Sequence, residues 1–217
     1  MENQQDKYLE INNLPNRLTI IRMILVPVVI GCLFYASEEK GGLRAELGWA
    51  AAWIFTIASI TDFLDGYFAR KKGIVTIFGS FLDPMADKFL VVSSLIMLQA
   101  LGRIHPLLVI ISVLREMYVT SLRLLALNEG IQVPVENLGK WKTTFQMIGI
   151  PLLMGNERWM NLPIPEAGEI CILISVFLSL LSSFNYSLGM IRKLKLNRLK
   201  KLKIKKLKKK KVSEANG

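Results

Sequence analysis

Six long apolar runs, separated by short polar or charged stretches, occupy most of the chain: residues near 18–36, 47–70, 77–102, 105–127, 138–156 and 168–190. Wound as helices, these runs are each about long enough to cross a hydrocarbon core of roughly 30 Å. Within that core, helices and closed barrels are the folds that satisfy their own backbone polar groups. The pattern predicts an all-α integral membrane protein: a six-helix transmembrane domain over residues 1–191, then a basic, amphipathic cytoplasmic tail over 192–217. The first sixteen residues form a polar lead with Tyr8, Leu9 and Ile11, read as a short interfacial segment. The first run invites a secretory-signal reading, but it is long, and Phe34-Tyr-Ala36-Ser-Glu lacks a small-x-small cleavage site. It is read as an uncleaved helix.

Composition agrees with this class, since 52% of the 217 residues are hydrophobic and the mean hydropathy is +0.37. Cys32 and Cys171 fall inside two different runs and form neither a disulfide framework nor a zinc pattern, so they are read as packing residues. The net charge of +11 matters through its position. Residues 192–211 carry thirteen Lys or Arg, whereas residues 1–191 carry fifteen against sixteen acids. In the tail, Leu196, Leu199, Ile204 and Leu207 recur among lysines, which suits a helix lying on anionic lipid. A solvated tail that only sets topology is the alternative, and the lack of aromatic residues for base stacking disfavours nucleic acid. Basic residues concentrate in cytoplasmic loops, so Arg70, Lys71, Lys72 and the tail belong inside. Residues 37–46 and 157–169 each carry three acids and face the other side. Six spans with both termini cytoplasmic satisfy every loop.

Asp62, Asp65, Asp83 and Asp87 interrupt the second and third runs near their cytoplasmic ends. An ionisable group inside a membrane is costly and points to function by default. A helix advances about 100° per residue, so Asp62, Asp65, Gly66 and Ala69 share one face, and Gly79, Asp83 and Asp87 share another. The basic turn at Arg70-Lys71-Lys72-Gly73 lets the two helices return antiparallel, so the four acids can converge. Clustered carboxylates repel unless a cation intervenes, and with no His or Cys nearby the donor set suits Mg²⁺, Mn²⁺ or Ca²⁺ rather than zinc. Four acids fit a two-metal site, with ions about 3.5–4 Å apart, acting on a phosphate ester or anhydride. Gly66, Ala69 and Gly79 would admit a closely approaching ligand, and Arg70 offers a guanidinium fork for phosphate oxygens. Taken singly, each small residue is as well explained by helix packing.

The pattern Asp62-x2-Asp65-Gly66-x2-Ala69-Arg70-x8-Gly79-x3-Asp83-x3-Asp87 resembles the signature of the CDP-alcohol phosphatidyltransferases, with all eight fixed positions present. The resemblance implies a six-helix membrane enzyme that moves a phosphatidyl or related group from a CDP-linked donor to an alcohol and releases CMP. It also implies that Asp62, Asp65 and Asp83 ligate Mg²⁺ or Mn²⁺, two ions in all. Asp87 would complete the second ion's ligation or act as catalytic base. Gly66, Ala69, Arg70, Thr76 and Gly79 would line the CDP donor site.

The fourth run carries Arg115, Glu116 and Arg123. Running inward from His105, Arg115 lies roughly 15 Å along a helix, near mid-membrane, where an arginine needs a partner or a wet cavity. Arg123 lies two turns nearer the cytoplasm, at the level where Lys140 and Lys142 open the fifth run. Arg115, Arg123 and Lys142, with Lys140, Asn16 and Thr19 beside them, suit an acceptor that is itself a phosphate. The alternative is that Arg115 pairs with Glu116 or an aspartate while the lysines mark the cytoplasmic interface. Asn13 through Arg22 with Pro27, Leu114 through Ala126 with Gly130, and Leu138 through Thr143 with Gln146 resemble the bacterial phosphatidylglycerophosphate synthases. In that branch the donor is CDP-diacylglycerol, the acceptor is sn-glycerol 3-phosphate, and a homodimer is common. Rival readings are transfer to inositol phosphate, serine or phosphatidylglycerol, a cation transporter using the aspartates as a relay, and a scaffold recruited by the tail. Transport would need a path through both halves of the bilayer, and a scaffold leaves the carboxylates unexplained.

Overall fold

The computed structural model describes residues 14–38, 42–72, 77–129, 137–155 and 163–215, with the side chains of 14–18, 62–85, 87, 127, 137 and 200–215 outside the description. The apolar runs are helical: α1 (Leu14–Glu38), α2 (Gly42–Lys72), α3 (Ile77–Ala100), α4 (Pro106–Asn128), α5 (Asn137–Gly155) and α6 (Ile164–Ala215). No strand occurs among the described residues. The sixth helix departs from the expected end near 190 and runs 52 residues through the basic segment. Leu, Lys and Arg are good helix formers, and no Gly or Pro follows Gly189 until Gly217.

The exterior is more apolar than that of a water-soluble bundle, and several hydroxyls lie inside. Ile24, Trp53, Phe177 and Phe184 point outward, the last 65% exposed, while Ser94, Ser175, Ser179, Ser182 and Ser183 are buried. Such an apolar exterior is what a lipid environment solvates. Among the described residues, Thr19–Glu38 and Ile164–Leu199 are long and apolar enough to cross a membrane, and Lys88–Ala100 is a shorter apolar helix.

The chain divides into two compact units. The first comprises Met1–Ile110 and Thr143–Ser175. Here α1 packs against both α2 and α3 through a core that includes Val29, Leu33, Phe55, Leu90 and Leu95. The α3 helix ends in a Schellman motif: Arg103 N–H donates to Leu98 O and Gly102 N–H to Gln99 O, both at 2.9 Å, with Gly102 at φ 69°. Pro106 then opens α4 at the position where a missing N–H costs least, and His105 Nδ1 accepts from Leu107 N–H. Arg103 reaches from this turn to the end of α5, donating through Nη1 to Leu153 O (3.2 Å) and Met154 O (2.6 Å). These are last-turn carbonyls without intrahelical partners, at the negative end of the helix dipole. Burial first, and the like charge of Arg44 second, lower the Arg103 pKa from its ordinary value.

The start of α2 meets the same helix end. A Cβ built on Gly48 would stand 2.6 Å from Met154 O, and one on Gly155 would stand 3.0 Å from the Trp49 ring. Further along α5, Gly149 lies against Cys171 and Ile172, and Gly168 against Leu153, so α5 and α6 run antiparallel at close approach.

The second unit comprises Ile111–Lys142 and Val176–Gly217. Its α4 and α6 segments run parallel: Arg115 bonds Ser179 and Ser183, Tyr118 bonds Ser187, and Glu129 O accepts from Asn197.

Candidate active site

The aspartate signature falls on two consecutive helices of the first unit. Asp62, Asp65, Gly66, Ala69 and Arg70 lie in the last eleven residues of α2, and Gly79, Asp83 and Asp87 in the first eleven of α3. Both stretches being helical, the spacings of three and four residues follow the helical repeat. Thr76 lies outside the described residues, as do the side chains of the other eight and of Asn16. Among the described residues no three His, Cys, Asp or Glu side chains gather as metal ligands. Four carboxylates from two helices joined by four residues, with the chain's single histidine, His105, beyond the other end of α3, are the donor set that a hard cation would require. It fits Mg²⁺ or Mn²⁺.

The helix packed against both aspartate-bearing helices also carries buried polar residues. Thr19, one of the expected acceptor residues, is 1% exposed, and Arg22, one turn further along α1, is 4% exposed. Arg22 was not among the candidate residues read from the sequence. Its signal is a cation three residues after Thr19 in the apolar stretch 18–36 of α1, which places both on one face.

In the second unit the structure brings Arg115 and Lys142 together on one carboxylate. Arg115 Nε donates to Ser179 O at 3.0 Å and Ser183 Oγ at 2.6 Å, and its Nη1 donates to Glu116 Oε2 at 3.2 Å. Lys142 Nζ, one to two turns into α5, pairs with the same Glu116 oxygen. The side chains of Arg115 and Lys142 are 9% and 10% exposed, that of Glu116 27%. Arg123 lies two turns along α4, exposed, with its guanidinium 6.0 Å from the centre of the Tyr186 ring, a cation–π distance. Lys140 is exposed on α5. The pairing of Arg115 with Glu116, weighed above as an alternative to phosphate binding, is present.

Ser179, Ser183 and Tyr186 were also not anticipated. They belong to the buried face of α6, where Ser175, Ser179, Ser182, Ser183 and Tyr186 recur at three- and four-residue intervals. That periodicity in an apolar run was the available signal.

Comparison with known proteins converges on these same helices. A protein 39% identical over 175 residues, covering 80% of this chain and 94% of its own length, is the CDP-diacylglycerol–glycerol-3-phosphate 3-phosphatidyltransferase of Rickettsia typhi. The Bacillus subtilis protein of the same name is 38% identical over 183 residues, covering 80% of this chain and 93% of its own length. A probable phosphatidylglycerophosphate synthase of Mycobacterium tuberculosis is 35% identical over 184 residues, covering 85% of this chain and 84% of its own length. The family model for CDP-alcohol phosphatidyltransferases matches residues 12–181, from before the start of α1 into the serine-bearing face of α6. With its eight-position signature set on α2 and α3, the chain belongs to the CDP-alcohol phosphatidyltransferase family.

Proposed function

We propose that this enzyme transfers the phosphatidyl group of CDP-diacylglycerol to sn-glycerol 3-phosphate, giving phosphatidylglycerol phosphate and CMP. The observation that carries the acceptor assignment is the convergence of Arg115 and Lys142 on one carboxylate, Glu116, which gathers two cations from α4 and α5 at one point. The printed names of the Rickettsia and Bacillus relatives point to the same donor and acceptor.

Asp62, Asp65, Asp83 and Asp87 would hold two divalent ions, which when bound neutralise the phosphate oxygens and the leaving CMP. Gly66, Ala69, Arg70, Thr76 and Gly79 hold the CDP portion. Lys142 and Arg123, with Lys140, Asn16 and Thr19 in support, hold the acceptor phosphate. Arg115, already engaged with two serines and Glu116, keeps Lys142 and Glu116 in register and adds charge to that pocket. The acceptor hydroxyl attacks the lipid-side phosphorus, Asp87 takes its proton, a new O–P bond forms, and the phosphoanhydride bond to CMP breaks. Positioning and charge neutralisation carry the rate.

The membrane arrangement we propose is six alternating spans with both termini and the aspartates on the cytoplasmic side of a bacterial inner membrane. It is supported by the meeting of the α2 start with the α3 and α5 ends, and by the basic residues at 70–72 and 192–211.

The test is incubation of the purified chain with CDP-diacylglycerol, Mg²⁺ and labelled glycerol 3-phosphate. CMP and a labelled lipid are expected. Folded protein that yields neither, with this or any other alcohol acceptor, sinks the enzymatic reading; product with another acceptor alone corrects the substrate.

A further inference from the structure

The α6 helix does not stop where its apolar part ends. From Ile164 to Met190 it is 27 residues, roughly 40 Å, enough to cross a bilayer including one headgroup layer. It then continues through thirteen Lys or Arg between 192 and 211, with no acid before Glu214. A helix continuing straight along the bilayer normal would carry that segment roughly 30 Å away from the surface. The Debye length at physiological ionic strength is about 8 Å, so only its first few residues would feel the headgroups.

One residue at the junction relieves this. Gly189 sits inside α6, where glycine is the poorest helix former after proline, and a Cβ built on it would meet nothing within 4 Å. Packing therefore does not require glycine here, in contrast to Gly149 and Gly168 on α5 and α6. What glycine supplies at this position is freedom to bend, and bending there opens the hydrogen bond from Asn197 Nδ2 to Glu129 O that holds the straight helix against α4.

We infer that residues 192–211 are a docking arm for anionic lipid headgroups, hinged at Gly189, which lays the basic part of α6 on the membrane its apolar part crosses. Charge complementarity selects the partner: a continuous run of ammonium groups, interrupted by Leu196, Leu199, Ile204 and Leu207, meets a surface that offers anionic headgroups above acyl chains. The inference rests on α6 spanning a bilayer, and is independent of the acceptor.

The test places a fluorophore on the full chain at Ser213→Cys, in a Cys32→Ala, Cys171→Ala background, and reconstitutes it into vesicles carrying a headgroup-level quencher. Strong quenching is expected in vesicles of phosphatidylcholine mixed with phosphatidylglycerol, with loss at high salt and little quenching in phosphatidylcholine alone. Gly189→Ala favours the continuous helix and should lower the docked-to-undocked ratio about fivefold. Replacing Lys205, Lys206, Lys208 and Lys209 by Gln should abolish quenching while leaving turnover in detergent intact. Equal quenching in both vesicle types overturns the lipid assignment, as does binding of a single-stranded oligonucleotide with no response to lipid charge. An unchanged ratio in Gly189→Ala overturns the hinge. Turnover in detergent is scored separately, so failure of the docking arm and failure of the transferase assignment are read independently.

Discussion

Arg115 Nε stands 2.6 Å from Ser183 Oγ, which joins the middle of α4 to the inner face of α6 by a charge-assisted hydrogen bond. Ser183 Oγ donates in turn to Ser179 O, the carbonyl that also accepts from Arg115. The guanidinium is thus held on two sides before Glu116 is counted, and loss of either partner leaves a buried polar group short of its bonds.

Ser183→Ala is therefore expected to destabilise the fold by about 1.5–3 kcal/mol, the range for a hydrogen bond to a charged group. Arg115→Ala is expected to cost more, about 3–5 kcal/mol, because it also breaks a largely buried ion pair. Unfolding in mixed detergent, followed by circular dichroism, orders the two variants; equal midpoints for wild type and Ser183→Ala would contradict the bond's contribution.

Lys142→Ala and Arg123→Ala should raise the KM for glycerol 3-phosphate by roughly ten- to a hundredfold, the equivalent of one lost charge-assisted contact. The KM for CDP-diacylglycerol should stay within about twofold on the same arithmetic. Arg123 is exposed, so its replacement is expected to leave the unfolding midpoint in place. A KM that does not respond in either variant removes these residues from the acceptor pocket.

Asp83→Ala should reduce CMP release by at least about a thousandfold, since metal-assisted charge neutralisation is worth several kcal/mol in the transition state. Chelation of the wild type should do the same, and added Mg²⁺ or Mn²⁺ should restore turnover. Full activity in the Asp83 variant would refute its role as a metal ligand.

Two glycines on neighbouring helices should respond in opposite directions to the same methyl group. Gly48→Ala drives a Cβ toward the Met154 carbonyl, where only 2.6 Å is available, and is expected to destabilise by about 1–3 kcal/mol. Gly31→Ala meets nothing within 4 Å and should stabilise α1 by about 0.5–1 kcal/mol. Paired thermal melts decide the matter, and a Gly48→Ala melting temperature that rises with that of Gly31→Ala would show that the α2–α5 contact tolerates the added methyl.

The helices were legible in the sequence because length and apolarity suffice to predict a helix in an apolar run of that size, and five of the six end within a few residues of expectation. The sixth did not, because a lysine-rich stretch ends an apolar run without ending a helix. The placing of the aspartate spacing on two consecutive helices was legible, and both stretches are helical. Arg22 and the serine face of α6 were not, since burial of a polar side chain depends on which face meets a neighbouring helix, and hydropathy does not distinguish inward from outward serine. Glu116 was visible as a possible partner of Arg115, yet its second partner, Lys142, comes from a helix 26 residues away in sequence and emerges only from tertiary packing.

The bond from Arg103 to the end of α5 carries a timetable. Its acceptors, Leu153 and Met154, follow it by 50 and 51 residues, so at about 5–20 residues per second the guanidinium precedes them by roughly 3–10 s during synthesis. The turn after α3 is thus made before its acceptors exist, and the arrival of α5 supplies them ahead of the α6 segment that completes the first unit. Assembly there is ordered by an arginine that waits for a helix not yet made.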